Sequence, residues 1–277
     1  MPDNQNAEMS PLFPTALRKS RWLIFFVLAG IAILETRFAI PTWNIAYPLL
    51  HDRLAFLSSF FAAAEQFASA TAFVTVGVFV WTCHRTRRRT LVALALSILL
   101  ASAVTDVVKI AAGRARPAFG VLMSEKNRGQ VKEYLETHAN PILKPEPGDY
   151  WMWFSKDRPG AEFLRVLTGE FDHRKLKPFG EYDSFPSGHA TSAFVLGTFL
   201  VLVFPRGRFW WYALSFGCAL ARVRFRRHYP ADVLMGGAIG WIAVQVIFSC
   251  GLPFHWGDRI AAWADSGGRR WRDRSRA

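Results

Sequence analysis

The sequence has few cysteines and fewer acidic than basic residues. Its 277 residues include Cys83, Cys218 and Cys250, and 21 Asp and Glu stand against 34 Lys and Arg. An odd number of widely separated cysteines favours neither a disulfide framework nor a zinc site. A hydrophobic content of 51% excludes a disordered chain, and the lack of a glycine period excludes a collagen-like one. A globular or a membrane protein remains.

The apolar residues are gathered into runs of about membrane length, and basic residues lie at the ends of these runs. This alternation is typical of a polytopic membrane protein and not of a nucleic-acid-binding protein, although the formal net charge is +13. The first run resembles a signal peptide, but no small-residue cleavage site follows closely, so we expect a retained helix. Six spans are predicted, at about 22–34, 60–83, 91–113, 185–204, 209–221 and 233–254.

We therefore expect an all-α fold in which six transmembrane helices form a bundle spanning 22–254. A helical insertion at 114–184, between spans three and four, is expected on the extracytoplasmic side. The tails at 1–21 and 255–277 then share one side, and the short segments of that side carry fifteen Lys and Arg against six on the other. The positive-inside bias makes both tails cytoplasmic and predicts a multi-pass protein of the inner cell membrane.

Three polar clusters interrupt the apolar pattern, all on the predicted extracytoplasmic side. In the first, Lys109 and Arg116 are seven residues apart at the end of span three. If the helix continues that far, two turns bring both cations to one face. For either residue alone, snorkelling to the lipid headgroups is the alternative interpretation.

The second cluster, Phe185-Pro-Ser-Gly-His-Ala-Thr191, stands at the start of span four. The Ser187 hydroxyl and the backbone N–H groups near Gly188 and His189 lie at the positive end of a predicted helix, which suits an anionic ligand. An ordinary helix cap is the alternative.

The third cluster runs from Arg222 to Asp232 and leads into span six. Pro230 fits the first turn of that helix. Asp232 follows His228 by four residues, so its carboxylate can accept a hydrogen bond from one imidazole nitrogen and leave the other free as nucleophile or base. Taken alone, such a pair is more often structural.

Together the clusters favour phosphoryl transfer, because cations can neutralise the non-bridging oxygens of a phosphate while a histidine reacts. The carboxylates near the clusters are too few for an oxygen-rich magnesium site, and no cysteine is close. We expect neither a metal nor another cofactor. His228, which has a carboxylate nearby, is the better nucleophile, and His189 can serve as the proton donor.

The clusters resemble the signature of the type 2 phosphatidic acid phosphatase family, integral-membrane lipid phosphate phosphatases related to vanadium haloperoxidases. The family pattern is Lys, six residues, Arg-Pro; then Pro-Ser-Gly-His; then Ser-Arg, five residues, His, three residues and Asp. All three motifs occur here in order and at the family spacing. The one departure is Ala221, where the family often has Ser.

The resemblance implies a role for each matching residue. His228 would attack phosphorus to form a phosphohistidine, Asp232 would orient His228, and His189 would protonate the leaving oxygen, without a metal. The phosphate-binding residues would be Lys109, Arg116, Ser187, Gly188 and Arg222.

The predicted function is hydrolysis of a lipid phosphate monoester or diphosphate at the extracytoplasmic face. Candidate substrates are polyprenyl diphosphate, phosphatidic acid, phosphatidylglycerol phosphate and lipid A. The alternatives are phosphate transfer between lipids, or a non-catalytic lipid-binding or transport protein on the same fold. The expected partners are the substrate and the bilayer, with no nucleic acid and no obligate protein partner. Arg224, Arg226 and Arg227 suggest a headgroup with more than one negative charge.

Overall fold

The computed structural model describes residues 15–35, 39–112, 114, 116–117, 183–250 and 254–263. Within these ranges the regular elements are helices, which agrees with the predicted all-α class. The helices are α1 (Thr15–Glu35), α2 (Ala39–Pro48), α3 (Ser58–Gln66), α4 (Ala70–Cys83), α5 (Thr90–Ala112), α6 (Gly188–Val203), α7 (Arg208–Arg224) and α8 (Pro230–Ser249), with a further helix over 254–263.

The core of the bundle forms around α6, which packs against α5, α7 and α8. Leu196 and Phe199 of α6 and Val244 of α8 are completely buried in this core. Gly236 permits the close approach of α8 to the start of α6, because a Cβ atom there would lie 2.4 Å from the Ser187 carbonyl oxygen. The second turn of α8 is therefore held against the start of α6.

Large apolar side chains also lie on the outside of the bundle. Phe26 of α1, Val74 of α4, Leu99 of α5 and Trp210 of α7 are each more than 60% exposed. A water-soluble protein rarely exposes so much apolar surface, whereas lipid chains cover such a surface without cost.

Two helices, α5 over Thr90–Lys109 and α8, are long and apolar enough to cross a bilayer. A third candidate is the pair formed by Ala55–Gln66 and α4, which is bent by 65°. α6 is apolar but shorter. Helices occur at all six predicted positions, while the count of six spans and their orientation stay predictions.

Several predicted boundaries differ from the structure. The second predicted span is broken near Glu65, because Ser69 accepts a hydrogen bond from the Ala72 N–H and begins α4 as a separate helix. The helix α2 was not predicted. Most of the predicted insertion at 114–184 lies outside the described residues, as do 1–14 and 264–277 of the two predicted tails.

Candidate active site

A cavity of about 610 Å³ lies where α3, α5, α6 and α7 meet. The residues that line it are Glu65, Lys109, Arg116, Gly188, His189, Arg222, Phe225, Arg227 and His228. Six of the eight site residues predicted from the sequence are among them. The other two, Ser187 and Asp232, are completely buried and are not part of the lining.

Lys109 and Arg116 reach the cavity from the end of α5. The helix ends at Ala112 and does not continue to Arg116, which was the condition for two helical turns to bring both side chains to one face. An acidic residue that the sequence analysis missed connects them. Asp183 accepts hydrogen bonds from Arg116 Nε at 2.9 Å and Nη2 at 3.2 Å, and its carboxylate is 4.0 Å from Lys109 Nζ.

The two cations also control the ionisation of Asp183. Partial burial opposes ionisation of this carboxyl, but the charges of Arg116 and Lys109 outweigh that effect and hold the pKa of Asp183 below its usual 3.8. Asp183 is therefore ionised at neutral pH.

The start of α6 forms a second wall of the cavity. The Ser187 hydroxyl caps this helix by accepting the Ala190 N–H at 3.4 Å, and the Ser187 N–H donates to the Asp232 carbonyl at 2.9 Å. Lys109 Nζ lies 3.6 Å from the position that a Cβ on Gly188 would take. The positive end of the α6 dipole and an ammonium group thus face the same space, which favours an anion.

A tight turn after α7 carries Arg227 and His228. The Arg222 carbonyl accepts hydrogen bonds from the backbone N–H groups of Arg227 at 3.0 Å and His228 at 3.3 Å. Arg226 has a left-handed backbone with φ of 58°, a conformation that commonly ends helices. The turn brings Arg227 and His228 to the cavity beside Arg222.

The hydrogen bonds of His228 determine its tautomer. Its Nδ1 atom lies 2.7 Å from the Ser184 carbonyl oxygen, and the Asp232 carboxylate is farther away, at 3.7 Å. A carbonyl oxygen only accepts hydrogen bonds, so Nδ1 carries the proton and Nε2 of the neutral ring holds a lone pair. Asp232 was predicted to orient His228, but the nearer acceptor is the Ser184 carbonyl oxygen.

Asp232 instead has three other hydrogen-bond donors. Its carboxylate accepts from the Tyr229 N–H at 2.8 Å, from the Ser184 hydroxyl and from Arg114. The Arg114 guanidinium also lies over the Tyr229 ring, 4.1 Å from its centroid. Arg114 and Ser184 were missed in the sequence analysis, although Arg114 lies within the first motif and Ser184 precedes the second.

Burial lowers the pKa of the His228 imidazole below its usual 6.5. Asp232 opposes this shift, while the charges of Arg116 and Arg222 add to it. His228 is therefore neutral at pH 7, the state required of a nucleophile. Among the described residues, no group of three or more His, Cys, Asp or Glu side chains could hold a metal ion. That no metal is required stays a prediction.

Two of the three arginines predicted to meet a second negative charge are engaged elsewhere. Arg224 is buried and donates to the carbonyls of Leu50 and His51. Arg226 donates to the Tyr47 hydroxyl at 2.5 Å. Only Arg227 of the three lines the cavity, so the prediction for Arg224 and Arg226 is wrong.

Several known proteins are similar to parts of this chain. A lipid A 1-phosphatase of Rhizobium johnstonii is 34% identical over 90 residues, which are 31% of this chain and 37% of that protein. The bacitracin transport permease protein BcrC of Bacillus licheniformis is 34% identical over 101 residues, 32% of this chain and 49% of that protein. The chain thus matches less than half the length of these relatives. A crystal structure of Aquifex aeolicus LpxE aligns with 76% of this chain and 95% of its own at 18% identity, with a TM-score of 0.48.

A family model described as PAP2 superfamily matches residues 90–256, more than half of the chain. The matched region contains each cation that lines the cavity, together with both histidines. Glu65 is the one lining residue that lies before it. The chain belongs to the PAP2 superfamily.

Proposed function

We propose that this protein is a membrane phosphatase that hydrolyses a lipid phosphate monoester or diphosphate through a phosphohistidine at His228. The observation that carries the proposal is the 2.7 Å contact between His228 Nδ1 and the Ser184 carbonyl, in a cavity lined by four cations. This contact leaves the Nε2 lone pair as the nucleophile. The cations supply the charge that a transferring phosphoryl group requires.

In the first step, Nε2 of His228 attacks phosphorus and the bond from phosphorus to the leaving oxygen breaks. His189 gives its proton to that oxygen. In the second step, water attacks phosphorus and passes a proton to His189, and the bond between nitrogen and phosphorus breaks. Inorganic phosphate is released and both histidines return to their starting states.

The non-bridging oxygens of the phosphoryl group would be held by Lys109, Arg116 and Arg222, with the N-terminus of α6 at Gly188. Arginine guanidinium groups can bind two phosphate oxygens at once, which fixes the orientation of the group. Ser187 supports this site as the cap of α6, and Asp232 supports it through its contacts with Ser184 and Tyr229.

A lipid substrate is supported by the apolar outer surface of the helices and by the relatives. Lipid A 1-phosphatases are among the relatives that match part of this chain. We propose lipid A or another phosphorylated lipid, such as a polyprenyl diphosphate, as substrate. The protein would lie in the inner membrane, with cytoplasmic tails at 1–21 and 255–277 and its site on the extracytoplasmic side.

The test is phosphate release by the detergent-purified protein from a panel of lipid mono- and diphosphates, measured without and with a chelator. We expect release from at least one lipid and its loss in His228→Ala. His255→Ala, a change at an exposed histidine outside the cavity, is the matched control and should match the parent.

No release from any lipid by the folded protein would overturn the phosphatase proposal. It would favour phosphate transfer between lipids, or a binding or transport role such as the name of the Bacillus relative indicates. Release that stops when the chelator is added would overturn the metal-free mechanism alone.

A further inference from the structure

Glu65 is the only Asp or Glu among the residues that line the described cavity. It lies on α3, outside the three sequence motifs and before the region matched by the family. Its carboxylate forms an ion pair with Arg222, and the two side chains are 25% and 9% exposed. A negative charge repels a phosphate, so the presence of Glu65 in a phosphate site requires another explanation.

The packing of α3 against α7 brings Glu65 to this position. Gly217 permits the close contact, because a Cβ atom there would lie 2.8 Å from the Phe60 ring and 2.9 Å from the Ala64 side chain. α3 ends at Gln66, and the chain bends by 65° before α4 continues. Glu65 is therefore at the corner of a bent helix and reaches the cavity.

The backbones of Glu65 and His189 approach each other across the helices. The Cys218 sulfur lies 3.9 Å from the carbonyl oxygen of Glu65 and 3.9 Å from that of His189. The two carbonyl oxygens are therefore less than about 8 Å apart, and both side chains line the same cavity.

In the proposed mechanism His189 must carry a proton before it can donate one. The groups that line the cavity with it make this difficult, since Lys109 of α5, Arg116 beyond it, Arg222 of α7 and Arg227 of the turn are all cations. Positive charges at this range disfavour a protonated imidazole, and a nearby carboxylate favours it.

We propose that Glu65 is a positioning residue of this site, whose carboxylate favours the protonated form of His189 that donates a proton to the leaving oxygen. The inference rests on the proposed function. It has a cost, because the carboxylate competes with the substrate phosphate for Arg222. Removing the charge should therefore strengthen phosphate binding and weaken catalysis.

The test compares Glu65→Gln with the parent on two phosphomonoesters. Phosphatidic acid releases an alkoxide that must be protonated, whereas p-nitrophenyl phosphate releases a stable phenolate that needs no acid. Because general acid catalysis contributes about 10²- to 10⁴-fold, we expect kcat on phosphatidic acid to fall at least ~30-fold and on the aryl ester less than ~3-fold. Glu65→Asp should retain more activity on phosphatidic acid than Glu65→Gln.

The control is Asp258→Asn, an acid-to-amide change at an exposed residue outside the cavity, which should match the parent on both substrates. Inhibition by inorganic phosphate should become at least ~3-fold tighter in Glu65→Gln. Equal losses on both substrates, no loss on either, or weaker inhibition by phosphate would each overturn the inference.

Failure of the proposed function can be distinguished from failure of this inference. If the parent hydrolyses neither ester, kcat cannot be compared, and the phosphatase proposal itself fails only if no lipid of the panel releases phosphate. Thermal stabilisation by inorganic phosphate then tests, without turnover, whether the Glu65 carboxylate competes with phosphate for Arg222. A larger stabilisation of Glu65→Gln than of the parent would support it, and an equal or smaller one would contradict it.

Discussion

Arg114 and Asp232 form an ion pair in which both side chains are completely buried. The pair connects the chain just after α5 to the first turn of α8, and so joins the first sequence motif to the third. The Ser184 hydroxyl donates a hydrogen bond to the same carboxylate. Its carbonyl oxygen accepts a hydrogen bond from His228 Nδ1. The geometry of the proposed nucleophile therefore depends on a contact between Arg114 and Asp232, which are 118 residues apart in sequence.

Arg114→Met should destabilise the protein strongly, because it leaves the Asp232 carboxylate buried without its cation. Breaking a buried pair in this way costs about 3–5 kcal/mol. We expect the thermal unfolding midpoint in detergent to fall by about 10 °C. Arg206→Met, at an exposed arginine, is the matched control. Equal midpoints for the two variants would show that the pair contributes no stability.

Gly236→Ala should separate α8 from the start of α6, since the new Cβ would lie 2.4 Å from the Ser187 carbonyl oxygen. We expect a lower unfolding midpoint and weaker stabilisation by inorganic phosphate. Gly77→Ala is the control, because no atom lies within 4 Å of the Cβ it adds, and Ala favours a helix more than Gly does. Equal unfolding midpoints and equal stabilisation by phosphate in Gly236→Ala and Gly77→Ala would contradict the importance of this contact.

Acid should destabilise the protein partly through His228. Its pKa is below 6.5 in the folded protein, so below that pH the unfolded chain binds a proton that the folded protein does not. This contribution to stability is present above pH 6.5 and is lost as pH falls towards the folded pKa. It amounts to at most about 2 kcal/mol between pH 7 and 5.

His228→Gln should therefore lose less stability between pH 7 and 5 than the parent, as measured by thermal unfolding midpoints. His255→Gln, at an exposed histidine, should follow the parent. Asp183 does not contribute in this range, because its pKa lies below 3.8. An unchanged pH dependence in His228→Gln would contradict the assignment of a lowered pKa.

Arg227→Gln should reduce activity on lipid diphosphates more than on monophosphates, because Arg227 lines the cavity and its positive charge would stabilise a second phosphate there. We expect kcat/KM on a diphosphate to fall about 10-fold, the effect of one partly exposed charged contact. Arg208→Gln is the control, at an exposed arginine outside the cavity. Equal effects of Arg227→Gln on both substrate classes would exclude this role.

Local sequence patterns predicted the helices and most of the cavity lining. The apolar runs located α5, α6, α7 and α8 within a few residues, and the three motifs identified Lys109, Arg116, His189, Arg222 and His228. These features could be found because each depends on residues close together in sequence. The break near Glu65 was missed, since a single capping serine within a mostly apolar run gives a weak signal.

The residues that support the site were harder to predict, because their partners are distant in sequence. Arg114 pairs with Asp232, and Glu65 pairs with Arg222. Ser184 acts on His228 through a backbone carbonyl, which every residue possesses and no sequence pattern marks. Arg224 was wrongly predicted to meet the headgroup, because a charged side chain is usually exposed. In the structure it is buried and donates to the carbonyl oxygens of Leu50 and His51.

The central claim is that the phosphoryl group is transferred to Nε2 of His228 before water hydrolyses it. The most direct measurement is a rapid quench at alkaline pH, where phosphohistidine survives, during turnover of p-nitrophenyl phosphate by His189→Ala, followed by mass spectrometry of the peptides. Because the variant lacks the residue proposed to activate water, we expect the phosphoryl group to accumulate on His228. A phosphoryl group on another residue, or turnover with none on His228, would contradict the account.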